Sequence, residues 1–460
     1  MSTVSSTPRA ATSTPSAVRA RRVLVDGAFT PATLRISEGR ITAIDPYRPD
    51  QQVPTLDLLD LPDTAHLVPG VVDTHVHVNE PGRTEWEGFA TATAAAALGG
   101  VTTLIDMPLN SVPATTTVAA LQAKQRAAAG KLAVDVGFWG GAVPESLGSL
   151  EALWLAGVYG FKCFLAPSGV AEFGHLDGPQ LRSAMAEIAG FDGLLIVHAE
   201  DAAVLEAAPH PPSRAYADFL LSRPAEAESA AIRSVLDGAQ ETGCRVHVLH
   251  LSSARPLEAL AAARAEGLPV TVETCPHYLC LDAGDVPDAA PEFKCCPPIR
   301  DAGNRDALWD GLRDGVIDVV VSDHSPATAE MKQAGDGDLQ QAWGGIAGLQ
   351  VGFTAVAAEA AARGIGLDAV SDWMSRRTAD LVGLTAKGRI EVGADADLAV
   401  YDTAAAWSVD ARALAHRNPI SAYQGRHYPG SVTHTLVRGR LVDTAAPDPT
   451  WGRMLERSAP

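Results

Sequence analysis

Val71-Val72-Asp73-Thr74-His75-Val76-His77 opens as an apolar, β-branched run and ends in two histidines. Seven further runs share this texture: Thr102–Asp106, Ala133–Phe138, Gly160–Leu165, Leu194–His198, Arg245–His250, Val270–Glu273 and Ile317–Asp323. Helical stretches lie between most of them, among them Phe89–Ala97, Ala227–Gln240 and Leu257–Glu266. Apolar β-branched runs alternating with helices predict parallel strands joined by crossover helices. Eight such units predict an α/β fold, a (β/α)8 barrel of the TIM type. A doubly wound open sheet needs about the same elements, so the strand count does not choose between the two. The polar residues do.

A parallel strand buried on both faces is nearly all apolar, which makes its exceptions informative. The first run ends at His75 and His77, and the fourth carries Lys162 between Phe161 and Cys163. The fifth ends at His198, the sixth at His250 and the eighth at Asp323. Ionisable or metal-competent groups therefore gather at one end of several strands, the C-terminal end, where barrels build their active sites.

His75 and His77 stand two apart, so an extended strand presents both imidazoles on one face. Alone, such a pair serves equally well as a strand cap. Two further strand-end histidines and an aspartate turn the reading towards metal. His247 sits mid-strand and reads as structural. His277, in Cys275-Pro276-His277-Tyr278, follows the seventh strand and reads equally as a pocket residue or as packing. His66, His175, His210, His416, His427 and His434 have no partner pattern and read as surface or packing residues.

Strand-like texture also marks both ends of the chain. Val23–Val25, Ala32–Ile36 and Ile41–Ile44 are punctuated by Gly27 and Gly39, and Asp397–Tyr401, Thr433–Val437 and Arg440–Val442 repeat the pattern. The expected organisation is a disordered extension over 1–21, a first part of a small β-sandwich over 22–66, the barrel over 67–385, and the rest of the sandwich with a C-terminal tail over 386–460. Residues 1–22 contain no acid and are rich in Ser, Thr, Ala, Pro and Arg, a composition that also suits an organelle transit peptide. With no apolar period to bury, a disordered extension is the reading preferred.

A formal charge of −19 disfavours a nucleic-acid partner and an anionic membrane surface. No apolar run approaches the roughly 18 residues needed to span a bilayer. The six cysteines form no CxxC pair, and free thiols in a reducing, cytoplasmic setting are expected.

Pro69-Gly70-Val71-Val72-Asp73-Thr74-His75-Val76-His77, Gly99-Gly100-Val101-Thr102-Thr103, Val197-His198-Ala199-Glu200 and Ser322-Asp323-His324-Ser325-Pro326 together resemble the cyclic amidohydrolases, that is, hydantoinases, dihydroorotases and allantoinases. Val392-Gly393-Ala394-Asp395-Ala396-Asp397-Leu398 is similar to the family's return into its β-domain. The resemblance implies that His75, His77 and Asp323 bind one divalent ion, that His198 and His250 bind a second, and that Lys162 bridges both as a carbamate formed with carbon dioxide. Charge makes sense of the carbamate: an ammonium repels two cations, whereas four neutral histidines and one aspartate neutralise them poorly. Zinc is the expected ion, with manganese, cobalt or iron able to serve. The resemblance also implies a homotetramer.

Departures within the family bear on the substrate. Dihydroorotases carry an arginine in His-x-His-x-Arg that grips a carboxylate, and here the position is Asn79, which disfavours an anionic ring. Hydantoinases differ as well, with an aspartate near this position and no Glu-Pro-Gly. The run Asn79-Glu80-Pro81-Gly82-Arg83-Thr84-Glu85-Trp86-Glu87-Gly88-Phe89 is similar to allantoinases, as are Asp106-Met107-Pro108-Leu109-Asn110-Ser111, Phe293-Lys294-Cys295-Cys296-Pro297-Pro298-Ile299-Arg300 and Trp343-Gly344-Gly345-Ile346-Ala347-Gly348. The expected activity is hydrolysis of the ring amide of allantoin to allantoate, with Asp323 acting first as base and then as acid. Asn110, Ser325 and the backbone around Cys295 resemble the groups that hold this neutral substrate. A broad hydantoinase or dihydropyrimidinase is the nearest alternative. A non-catalytic scaffold on the same barrel is disfavoured by the presence of all six expected ligands.

Overall fold

The computed structural model describes residues 14–49 and 57–457. Eight parallel staves form the barrel: Val71–Val76, Val101–Asp106, Asp135–Phe138 continued by Gly140–Gly141, Phe161–Phe164, Leu194–His198, Arg245–Val248, Val270–Thr274 and Val319–Val320. The ring closes where Val76 bridges His324 in parallel and the His77 N–H donates to the His324 carbonyl at 2.8 Å. Helices such as Phe89–Leu98, Gly178–Ala189 and Ala225–Thr242 cross between the staves. Phe89–Leu98 forms because it is almost wholly alanine-like in size and buries Phe89, Ala92, Ala95, Ala96 and Ala97 against the barrel.

The third and fourth staves pair through Gly140–Gly141 and Phe161–Lys162. Val136 pairs with Leu104 on one side, but on the other it bridges Met454, and the Leu455 N–H donates to the Val136 carbonyl at 2.8 Å. The C-terminal segment is thus wedged against the barrel rather than trailing from the β-domain.

The two ends of the chain meet in one mixed sheet of eight strands, with Ala65–Pro69 pairing both Ala17–Val25 and Leu398–Asp402. Its inward side chains, including Val18, Leu34, Ile41, Leu67, Leu398 and Leu436, make a core separate from the barrel's. Two boundaries differ from those expected. The first strand begins at Ala17 rather than near 22, so 17–21 is strand and not extension, while residues 1–13 lie outside the described residues. The Arg-rich run hid this strand, because the buried Arg19 has its charge met by Asp60, which accepts from its Nε at 3.0 Å and its Nη2 at 2.6 Å. The last N-terminal strand also runs to Pro69, past the boundary at 66. No helix among the described residues is long and apolar enough to cross a membrane.

Candidate active site

The strand ends bring His75, His77, Lys162, His198, His250 and Asp323 to one mouth of the barrel, every one of them buried. His75 Nε2 lies 3.1 Å and His77 Nε2 3.6 Å from Asp323 Oδ1. Donor atoms of these three residues all fall within 4.8 Å of one another. Lys162 Nζ is 3.4 Å from His75 Nε2, and His198 Nδ1 is 2.9 Å from His250 Nε2. His250 and Asp323 follow their strands in left-handed backbone, with φ of 34° and 43°, the kind of local strain that collects at functional sites at a cost of about 1–3 kcal/mol per residue.

Carboxylates behind two of the histidines, His75 and His198, orient their rings. Glu273 accepts from His75 Nδ1 at 2.5 Å, which aims Nε2 at Asp323. The same carboxylate accepts from the His250 N–H at 3.0 Å and from His247 Nε2 at 3.0 Å, while His247 Nδ1 meets Thr271 Oγ1 at 2.7 Å. Glu200 accepts from His198 Nε2 at 2.8 Å, which leaves Nδ1 free, and is itself paired with Arg223. Asp73 accepts from the His75 and Ser322 N–H groups, each at 3.1 Å, and so ties the first stave to the approach of Asp323.

Burial lowers the His75 imidazole, but Asp323 and Glu273 outweigh it and raise the ring above its ordinary pKa. Burial drives the His77 and His250 imidazoles well below their ordinary pKa, so both are neutral and carry lone pairs. Burial pushes the Asp323 carboxyl up, but the imidazoles of His75, His250 and His77 outweigh it and hold the group well below the usual range. Burial lowers the Lys162 ammonium to about 8.

The donor set suits divalent cations. His198 Nδ1 and His250 Nε2 face each other across 2.9 Å, yet His250 Nδ1 is buried with no hydrogen-bond partner. If the His250 proton sits on Nδ1, two lone pairs oppose each other. If it sits on Nε2, one buried polar atom is left unmet. A cation placed to take both facing lone pairs removes the conflict, and the carboxylates behind His75 and His198 are the usual support of such a centre.

A cleft of about 370 Å³ opens over these residues. Asn110, Cys295 and Ser325 all line it, together with Phe164 and Trp343. Asn110 Nδ2 lies 3.5 Å from His77 Nδ1, so it also steadies that ring. Ser325 Oγ donates to the Asp323 carbonyl at 2.8 Å. Gly345, with φ 109°, presses on Ser325 so closely that a Cβ there would collide with the Ser325 carbonyl. Asn79 does not reach the cleft: it is fully buried, and its Nδ2 donates to the Pro326 carbonyl at 3.4 Å. Besides Lys162, the cations lining the cleft are Arg223 and Lys294, and both are committed, Arg223 to Glu200 and Lys294 to the Ala342 carbonyl at 2.5 Å.

Glu273, Glu200 and Asp73 had no assigned role in the sequence reading, although Glu273 and Asp73 break the apolar rule of buried strands and were visible for that reason. His247, read as structural, binds no cleft but braces Glu273. His277 is not among the cleft residues.

A family model described as the amidohydrolase family matches residues 66–442. The chain belongs to the amidohydrolase family. The allantoinase of Streptomyces avermitilis is 54% identical, over 96% of this chain and 98% of its own length. The allantoinase of Saccharomyces cerevisiae is 42% identical, over 94% of this chain and 95% of its own. Among solved structures, the L-hydantoinase (dihydropyrimidinase) of Arthrobacter aurescens superposes with a TM-score of 0.88 at 30% identity, covering 96% of this chain and 99% of that one. Dependence on a binuclear metal centre is a property of the family, and candidate ligands are in place here.

Proposed function

We propose that this metal-dependent cyclic amide hydrolase opens the ring amide of allantoin to give allantoate. The observation that carries the reading is the convergence of donors from five staves on one cleft, in a chain 42–54% identical to allantoinases over nearly its whole length. The committed state of Arg223 and Lys294 favours a neutral ring over an anionic one.

His75, His77 and Asp323 would hold one ion and His198 and His250 the other, zinc being the default for such donors and manganese, cobalt or iron able to serve. The ions, when bound, supply a water acidic enough to attack at neutral pH and positive charge for the developing oxyanion. Lys162 would join both sites as a carbamate. Its neutral amine, accessible because burial lowers the group to about 8, adds to carbon dioxide: the N–C bond forms and one N–H proton leaves to water. Asp323 takes the proton of the attacking water and delivers it to the departing ring nitrogen. Asn110, Ser325 and the backbone at Cys295 would hold the ureido arm with neutral hydrogen bonds. Six free cysteines fit a reducing, cytoplasmic setting, and a tetramer belongs to the same reading.

The test is allantoate formation from allantoin with and without chelator, beside hydantoin, dihydrouracil and dihydroorotate. Allantoin is expected to turn over fastest, to stop with chelator and to recover with zinc. Faster turnover of hydantoin or dihydrouracil would overturn the substrate assignment.

A further inference from the structure

A second donor triangle shares only Asp323 with the first. One ring nitrogen of His277, Sγ of Cys275 and a carboxylate oxygen of Asp323 lie within 4.8 Å of one another. Sulfur, nitrogen and oxygen donors around one zinc ion stand roughly 3.5 Å apart, so a small inward adjustment closes the set.

A further observation points to a ligand. His277 is 1% exposed and packs edge-on against Tyr278, yet neither of its ring nitrogens has a hydrogen-bond partner. Buried polar atoms are nearly always paired, so this imidazole lacks something. Cys275 is fully buried beside it.

A contrast sharpens the point. Asp135, Asp395 and Asp397 also gather within 4.8 Å, but Lys387 Nζ already fills that cluster at 2.8, 3.1 and 2.6 Å. No described lysine or arginine makes an ion pair with Asp323.

We propose that Cys275, His277 and Asp323 form a third site for a borderline-soft divalent ion such as zinc, and that filling it inhibits turnover by withdrawing Asp323 from proton transfer. The inhibitory part rests on the two-ion reading above, whereas the site itself does not. As the ion binds, the Cys275 S–H bond breaks, its proton passes to water and a sulfur–metal bond forms. Because Asp323 already serves the first site, the third ion has only two ligands of its own and fills last.

The three sites are distinguishable because only this one contains sulfur. Metal-stripped protein titrated with cobalt(II) is expected to bind two equivalents without a thiolate-to-cobalt charge-transfer band. A third equivalent then brings that band in the near ultraviolet, and most of the turnover is lost as it grows. Cys275→Ser and, separately, His277→Gln are expected to show no such band and to keep their turnover at excess cobalt. Absence of the band in the wild-type protein at excess cobalt, or a band of equal size in Cys275→Ser, would overturn the proposal. A sulfur-bound ion accompanied by fewer than two others supports the third site while contradicting the two-ion reading.

Discussion

His198 Nδ1 and His250 Nε2 lie 2.9 Å apart at the barrel mouth, although each ring comes from a different stave. The two nitrogens are held on target from behind, His198 by Glu200 at 2.8 Å and the His250 backbone by Glu273 at 3.0 Å. His250→Asn removes one of the facing lone pairs. The purified variant is expected to hold one ion where the wild-type protein holds two, with turnover lost alongside. Two full equivalents in the variant, measured by elemental analysis, would show that His250 is not a ligand.

Glu273 does not itself line the cleft but orients His75, the His250 backbone and His247 together. Glu273→Gln keeps the shape and loses the charge that fixes the His75 tautomer. Metal affinity or turnover should fall about 10–100-fold, the usual effect of removing such a support. Unchanged metal affinity and kcat would mean that the carboxylate is only packing.

Lys162 is buried, and its ammonium is lowered to about 8. Lys162→Ala is expected to lose metal and turnover together, and short-chain carboxylic acids added to the assay should restore part of both by supplying the missing bridge. Metal content equal to that of the wild-type protein would argue against a carbamate.

Acid should reveal the Glu200–Arg223 pair. Burial pushes the Glu200 carboxyl up, but Arg223 and His198 outweigh it and hold the group at about 2, against an ordinary glutamate value of about 4.3. A depressed carboxyl contributes stability that is present above its unfolded pKa and lost as pH falls through the folded one. Urea unfolding of the metal-free protein should therefore weaken more steeply between about pH 4.3 and about pH 2 than in Glu200→Gln. Equal acid slopes for the two proteins would remove the pair from the account.

Much of this site was legible because parallel strands are so uniformly apolar. His75, His198 and Asp323 stood out as breaks at the ends of Val-Val, Leu-Leu-Ile-Val and Val-Val-Val runs, and eight runs with helices between them led to the barrel. What escaped depends on contacts between distant parts of the chain. Glu273 reaches back 198 residues to His75, and no spacing in the sequence encodes that meeting. Arg19 hid a strand because its charge is met by Asp60, 41 residues on. Asn79 reads in sequence as the loss of a guanidinium, but its side chain turns to Pro326 and away from the cleft.

The central claim is that these strand ends hold two cations, and anomalous diffraction from crystals loaded with two equivalents of zinc tests it most directly. Two peaks are predicted, one among His75, His77 and Asp323 and one between His198 and His250, with Lys162 reaching both. A single peak, or peaks away from these residues, would contradict the account.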